Sequence, residues 1–130
     1  MTKKNYQSWG RVPAAVPKGV LTPASTNFDW PNYSGSVLTV GQRRSYGDVC
    51  LNDDNYLIDL RWLDRLVHFD KVNGTISCEA GATLAQIAGV VVADGWFLPV
   101  TPGTSQVSIG GAIANDVHGK DHHGSGSFGN

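Results

Sequence analysis

The stretch PVTPGTSQVSIGGAIANDVHGKDHHGSGSFGN, Pro99 to Asn130, decides how the rest of the chain is read. Seven of its residues are glycine (Gly103, Gly110, Gly111, Gly119, Gly124, Gly126 and Gly129), set among Ser, Thr, His and Lys with almost no long aliphatic side chain. Such a stretch does not build a core. Glycine-dense backbone carries an entropy cost and persists where the chain takes a positive φ or approaches something closely. Successive bare amides in such loops form anion-binding concavities, and a helix N-terminus adds a positive dipole end. Ser108-Ile109-Gly110-Gly111 running into Ala112-Ile113-Ala114 reads as small residues opening a short helix. The stretch is therefore expected to cradle a phosphate-bearing cofactor.

Immediately upstream, Leu84, Ile87, Ala88, Val91 and Val92 fall on one helical face. Thr83 with Gln86 three residues on forms a capping box, and Gly95 supplies the stop. Trp96 to Val100 is expected to be a short buried strand leading into the glycine stretch. Before the helix, the alternating runs Leu66–Asp70 and Thr75–Glu79 flank Asn73-Gly74, a hairpin signal. His68 within it reads as a strand-face residue. Tyr56–Leu60 is a strand, and so is the β-branched run Ser36–Val40. That run leads into Gly41-Gln-Arg-Arg-Ser-Tyr-Gly-Asp48, where amides, a serine hydroxyl and guanidinium groups could all donate to phosphate oxygens. On the residues alone, this is a weak signal and a solvated turn is the better reading. Residues 1–35 hold Pro13, Pro17, Pro23 and Pro31, which forbid a continuous helix, and read as a lead-in arm with at most a short strand near Gly19–Leu21. Residues 36–130 would form one subdomain. The expected class is α+β.

Composition narrows the function. At 130 residues, with 41% hydrophobic and 16% charged residues, the chain is globular and long enough for a core. A net charge of -1 argues against a nucleic-acid partner. No run is long and apolar enough for a membrane span. The N-terminus lacks the apolar segment of a secretory signal, so a cytoplasmic location is expected. Cys50 and Cys78 are too few for a disulfide framework and read as buried thiols. The chain ends in mid-loop after its most informative stretch, which reads as a piece of something longer.

Four ordered groups of residues carry a resemblance. They are Gly41-x-x-Arg44-Ser45-Tyr46-Gly47-Asp48, Glu79-Ala80-Gly81-x-Thr83-Leu84, Gly95-Trp96-x-Leu98-Pro99-Val100-x-Pro102-Gly103-Thr104, and Val107-x-x-Gly110-Gly111-Ala112-Ile113-Ala114-x-Asp116-Val117-His118-Gly119-Lys120-x-His122-His123-x-x-Gly126-Ser127-Phe128-Gly129. Together they resemble the PCMH-type FAD-binding domain of the vanillyl-alcohol oxidase/p-cresol methylhydroxylase superfamily, in the branch of the decaprenylphosphoryl-β-D-ribose 2′-oxidases. Ser8-Trp9-Gly10-Arg11 resembles the N-terminus of that branch.

The resemblance implies two small α/β subdomains with FAD between them and a separate substrate domain, this chain being the first subdomain. It implies that Thr39, Val40, Gly41, Gln42, Arg43, Arg44, Ser45, Tyr46, Gly47, Asp48 and Val49 line the FAD pyrophosphate, helped by Gly103 and by Ser108, Ile109, Gly110 and Gly111. His118, Gly119, Lys120 and Asp121 would lie along the cofactor, with His118 and Lys120 toward the flavin. The implied reaction is oxidation of a secondary alcohol on a sugar, free or lipid-linked, by hydride transfer to flavin N5, with the base supplied from outside this chain. The fragment alone would be inactive and, with normally covered surface exposed, could self-associate. In many superfamily members a histidine bonded to the flavin stands where Arg44 stands, so any FAD is expected to be non-covalent. Close relatives carry glycine at Arg43 and asparagine at Asp121. Tyr46 is expected to pack within its loop. A metal site at Asp116, His118, Asp121, His122 and His123 lacks the regular helix that would set its ligands on one face, and a non-catalytic phosphate-binding module is the alternative from another class.

Overall fold

The computed structural model describes residues 5–129 and divides into two compact units, one ending at Leu63 and the other starting at Asp64. In the first unit, β1 (Tyr6–Gln7) pairs antiparallel with β2 (Ala14–Ala15). A second sheet holds β3 (Gly19–Leu21), β4 (Val37–Val40) and β5 (Tyr56–Asp59) in the order β3-β5-β4, all parallel. The central strand, β5, is hydrophobic and covered on both faces, with Leu57 and Ile58 fully buried, as a parallel strand requires. Tyr6, Val40, Cys50 and Leu57 form its core, with Leu38 and Leu51 packed alongside. The proline-rich segment thus contributes β1 and β2 as well as the expected β3. Strands of two residues leave no periodic signal in a sequence.

In the second unit, β6 (Leu66–Asp70) and β7 (Thr75–Cys78) make the antiparallel hairpin expected around Asn73-Gly74, with an irregularity between Leu66 and His68. The helix α1 (Leu84–Val91) follows, and Thr83 and Gln86 close the capping box reciprocally. Leu84, Ile87 and Val91 bury one face against Leu66, Phe69, Ile76, Leu98, Val107, Ile109 and Phe128. Val92, expected on that face, is exposed. The chain tightens there into a 3-10 turn over Val92–Asp94, which rotates Val92 outward before Gly95 stops it at φ 81°. No strand forms over Trp96–Val100, and Phe97 is 64% exposed. The Trp96 indole instead donates to the carbonyl of Lys71 in the hairpin turn (2.8 Å), so side-chain anchoring replaces ladder pairing. Only Val100 of that segment is fully buried. Two short helices complete the unit, α2 (Ile109–Ala114) and α3 (His122–Ser125). Among the described residues no helix is long and apolar enough to cross a membrane. Cys50 is buried and Cys78 half-buried, both as free thiols.

Candidate functional site

The first unit places Thr39 and Val40 at the end of β4 and turns the chain through Gly41–Val49 without regular structure. Val40 anchors the loop in the core, while Arg44, Tyr46, Gly47, Asp48 and Val49 are exposed. Among the described residues, no amide from Gln42 to Asp48 donates to a protein acceptor. A run of free donors ending a parallel strand is the kind of backbone that accepts an anion. Tyr46 does not pack within the loop; it is 76% exposed.

Two arginines of this loop are held by aromatic rings from the N-terminal segment. The Arg43 guanidinium lies 4.9 Å from the centre of the Tyr6 ring, and the Arg44 guanidinium 5.3 Å from Trp9. Contacts of this geometry contribute about 0.5–1 kcal/mol each where solvent reaches them. Arg44 also donates to the Gln42 carbonyl (3.2 Å), and the Trp9 amide donates to the Ser45 carbonyl (3.1 Å). Beneath them, the Tyr6 hydroxyl donates to Asp59 (3.3 Å), whose carboxylate takes a fork of bonds from Arg61, the shortest 2.6 Å. Burial alone would raise the Asp59 carboxyl, but the Arg61 guanidinium and amide and the Tyr6 hydroxyl hold it below its ordinary value. Burial, with the Asp59 charge, pushes the Tyr6 phenol up. The ring under Arg43 is therefore neutral and fixed.

A polar cleft of about 290 Å³ opens between the N-terminal segment and the loop, lined by Gln7, Ser8, Trp9 and Arg11 on one side and Gln42, Arg43 and Arg44 on the other. Two buried polar atoms of these residues, Ser8 Oγ and Arg43 Nε, have no hydrogen-bond partner. None of Gln7, Ser8, Trp9 and Arg11 stood among the expected site residues. The available signal was a hydroxyl, an indole and a guanidinium within four positions, but their meeting with the loop depends on long-range packing.

In the second unit, the remaining expected residues are placed differently. Gly103 is exposed. Ser108 is buried and caps α2, its hydroxyl accepting from Gly111 (3.3 Å). The amides of Ile109 and Gly110 donate to the carbonyls of Ala82 (2.7 Å) and Ala80 (2.9 Å). These donors are engaged within the unit and are not bare. Gly110 is required by close approach, since a Cβ there would stand 2.9 Å from Ala80 Cβ. Further on, Gly119 is buried while His118, Lys120 and Asp121 are exposed. The Gly119 carbonyl lies 3.2 Å from His118 Nδ1 and 3.1 Å from His122 Nδ1. The rings of His118, His122 and His123 follow one another at tilted angles of 52° and 36°, with centres 4.7 and 4.1 Å apart. Among the described residues, no group of His, Cys, Asp and Glu is arranged to hold a metal ion.

Residues 30–130 match the model of a family described as the FAD binding domain. The chain belongs to this FAD-binding domain family. Over 99% of its length it is 37% identical to a decaprenylphosphoryl-beta-D-ribose oxidase of Mycolicibacterium smegmatis, of which it spans 29%. It is also 34% identical, over 63% of its length, to 18% of an L-gulonolactone oxidase of Scyliorhinus torazame. Among solved structures, a histidine-to-alanine variant of the cholesterol oxidase of Brevibacterium sterolicum matches with a TM-score of 0.67 at 19% identity, over 88% of this chain and 24% of that one. That likeness shows the fold, a mixed α/β FAD-binding architecture. The expected FAD-binding family is thus found, with a ribose oxidase among the chain's relatives, and FAD is the family's cofactor. The chain spans less than a third of the ribose oxidase and of the cholesterol oxidase chain.

Proposed function

We propose that this chain is the FAD-binding part of a flavin-dependent oxidoreductase that oxidises a secondary alcohol of a sugar-type substrate. The observation that carries the reading is the Gly41–Asp48 loop: free amides, two ring-supported guanidinium groups and an unpartnered Arg43 Nε, in a member of the FAD-binding domain family. That donor set fits a diphosphate, whose oxygens accept from amides, hydroxyls and guanidinium groups together. Residues 39–49 would hold the diphosphate. Gly103 and Ser108–Gly111 would let the backbone come close, and His118, Gly119, Lys120 and Asp121 would lie along the cofactor. When bound, FAD supplies the acceptor for the hydride that leaves the alcohol carbon, at flavin N5.

Arg44 stands where a flavin-bonded histidine stands in many superfamily members. An arginine makes no such bond, so the FAD is held non-covalently. The sugar-type substrate is supported by the ribose oxidase, the relative that matches over nearly the whole chain. The base and the substrate-orienting groups belong to the part of such an enzyme that this chain does not span. The chain is accordingly expected to turn over no substrate by itself, to work in the cytoplasm, and to self-associate through surface the rest would cover. A monomer over a wide concentration range in analytical ultracentrifugation would count against the self-association.

Near-ultraviolet and visible absorbance of the full-length protein tests the cofactor reading. Flavin bands that leave with the supernatant after acid precipitation support non-covalent FAD. Bands that stay with the pellet overturn the role given to Arg44. A colourless protein that takes up no added FAD overturns the enzyme reading in favour of a non-catalytic phosphate-binding module.

A further inference from the structure

The chain has five arginines, and they divide by environment. Arg61 and Arg65 are paired with the carboxylates of Asp59 and Glu79, each at 2.6 Å. Arg11, Arg43 and Arg44 line one cleft, and among the described residues none of the three has a carboxylate within ion-pair distance. Among the described residues, no acidic side chain lines the cleft. Three uncompensated guanidinium groups in a chain of net charge -1 are a local excess of positive charge facing a small polar space. Ser8, only 4% exposed, is one of the residues lining the same cleft, and its hydroxyl has no partner among the described residues. A buried unpartnered hydroxyl is costly in the free protein and becomes satisfied when a ligand atom accepts from it.

We infer that Ser8 and Arg11 of the N-terminal segment, facing Arg43, form a binding site for a phosphate-class oxyanion. The space, about 290 Å³, suits a phosphate or diphosphate carried by a small molecule. Guanidinium groups recognise such oxygens in pairs. A hydrogen bond from the Trp9 amide to the Ser45 carbonyl (3.1 Å) ties the segment to the loop. The Tyr6 ring, fixed by Asp59, supports the Arg43 side chain. The oxyanion is either the diphosphate of FAD or the phosphate of a separately bound ligand. The inference is independent of the alcohol-oxidising chemistry proposed above and rests on the FAD reading only for one of its probes.

The test is calorimetric titration of the full-length protein, stripped of flavin, with inorganic pyrophosphate, FAD and riboflavin, in the wild type and in the Ser8→Ala and Arg11→Gln variants. Each variant is expected to weaken pyrophosphate binding by roughly tenfold or more, the size of a lost charge-assisted hydrogen bond. Ser8→Ala should not lower the thermal midpoint, because it removes a hydroxyl that has no partner in the free protein. FAD weakened alongside pyrophosphate, with riboflavin unchanged, assigns the site to the FAD diphosphate. FAD unchanged, with pyrophosphate binding to the flavin-loaded protein lost, assigns it to a separate phosphorylated ligand. A wild type that binds pyrophosphate with these sensitivities but takes up no FAD sinks the cofactor reading and keeps the site. Unchanged affinity for both phosphate probes in both variants overturns the inference, as does a wild type that binds neither. A Ser8→Ala protein that loses stability and binding together also overturns it, since Ser8 would then be a packing residue.

Discussion

Arg43 sits at φ 55°, a left-handed backbone conformation in which a side chain costs roughly 1 kcal/mol or more relative to glycine. The branch this chain resembles carries glycine there, and the torsion supplies the physical reason. Here the side chain is retained, with its guanidinium over Tyr6. Asp59 shows the opposite economy, a charge that is nearly fully buried but bonded on both oxygens. Asp59→Asn leaves the Arg61 fork and the Tyr6 hydroxyl poorly matched. It is expected to destabilise the first unit by roughly 1.5–3 kcal/mol in chemical denaturation, the range for hydrogen bonds to charged groups. Gly110 was expected at the site because of the motif it belongs to. Its contacts with Ala80 give it a packing role as well, so Gly110→Ala should cost about 1–3 kcal/mol through overpacking, whatever it does to FAD affinity. A Gly110→Ala protein with unchanged unfolding free energy would show that the close approach relaxes at no cost.

At the scale of elements, α1 is the part where local signals agree. Its cap, its apolar spacing and its stop all coincide in the sequence, and the structure forms it where they meet. Thr83→Ala should destabilise the second unit by about 1 kcal/mol, the usual worth of an N-cap. Ile87→Ala, at a site 1% exposed, should cost about 2–5 kcal/mol. Equal losses from the two substitutions in urea titrations would mean that the helix is held mainly by its cap and not by its buried face. The Trp96–Val100 segment is where local reading failed. Its aromatic and aliphatic content suits a strand, but a strand needs a partner edge, and a bond from Trp96 to the hairpin turn took its place. The helix α3 was also missed. It is a single turn within a glycine-rich run, closed by amides of Gly124 and Ser125 donating to the Asp121 carbonyl and by Ser125 Oγ donating to the Asp121 carboxylate (2.7 Å).

Among the described residues of the whole molecule, each unit carries one buried carboxylate held ionised by arginine. Asp59 is below its ordinary value for the reasons given above. Glu79 is lowered chiefly by hydrogen bonds from the Arg65 side chain and then its amide. A carboxyl whose folded pKa lies below its unfolded value, about 4, adds stability that is fully present above that pH. The contribution is lost as pH falls through the lowered folded value. The thermal midpoint is therefore expected to hold from neutrality to about pH 5 and to fall below about pH 4. Asp59→Asn should show a smaller acid-induced fall than the wild type. An equal fall in both would place the acid sensitivity elsewhere.

The sequence by itself determined the α+β class, the capped helix, the Asn-Gly hairpin, the short helix opened by Ser108–Gly111 and the family. Each of these is written in neighbouring residues, through periodicity, capping or an ordered motif. The parallel order β3-β5-β4 was decided only by tertiary structure, because pairing of strands separated by tens of residues has no local signature. The same holds for the cleft. Ser8 and Arg43 are ordinary surface residues by type, and only packing across that separation buried the hydroxyl, stacked the guanidinium and left both without partners. The amides of Ile109 and Gly110 make the converse case. They looked bare in the sequence, and the fold supplied their acceptors from Ala82 and Ala80.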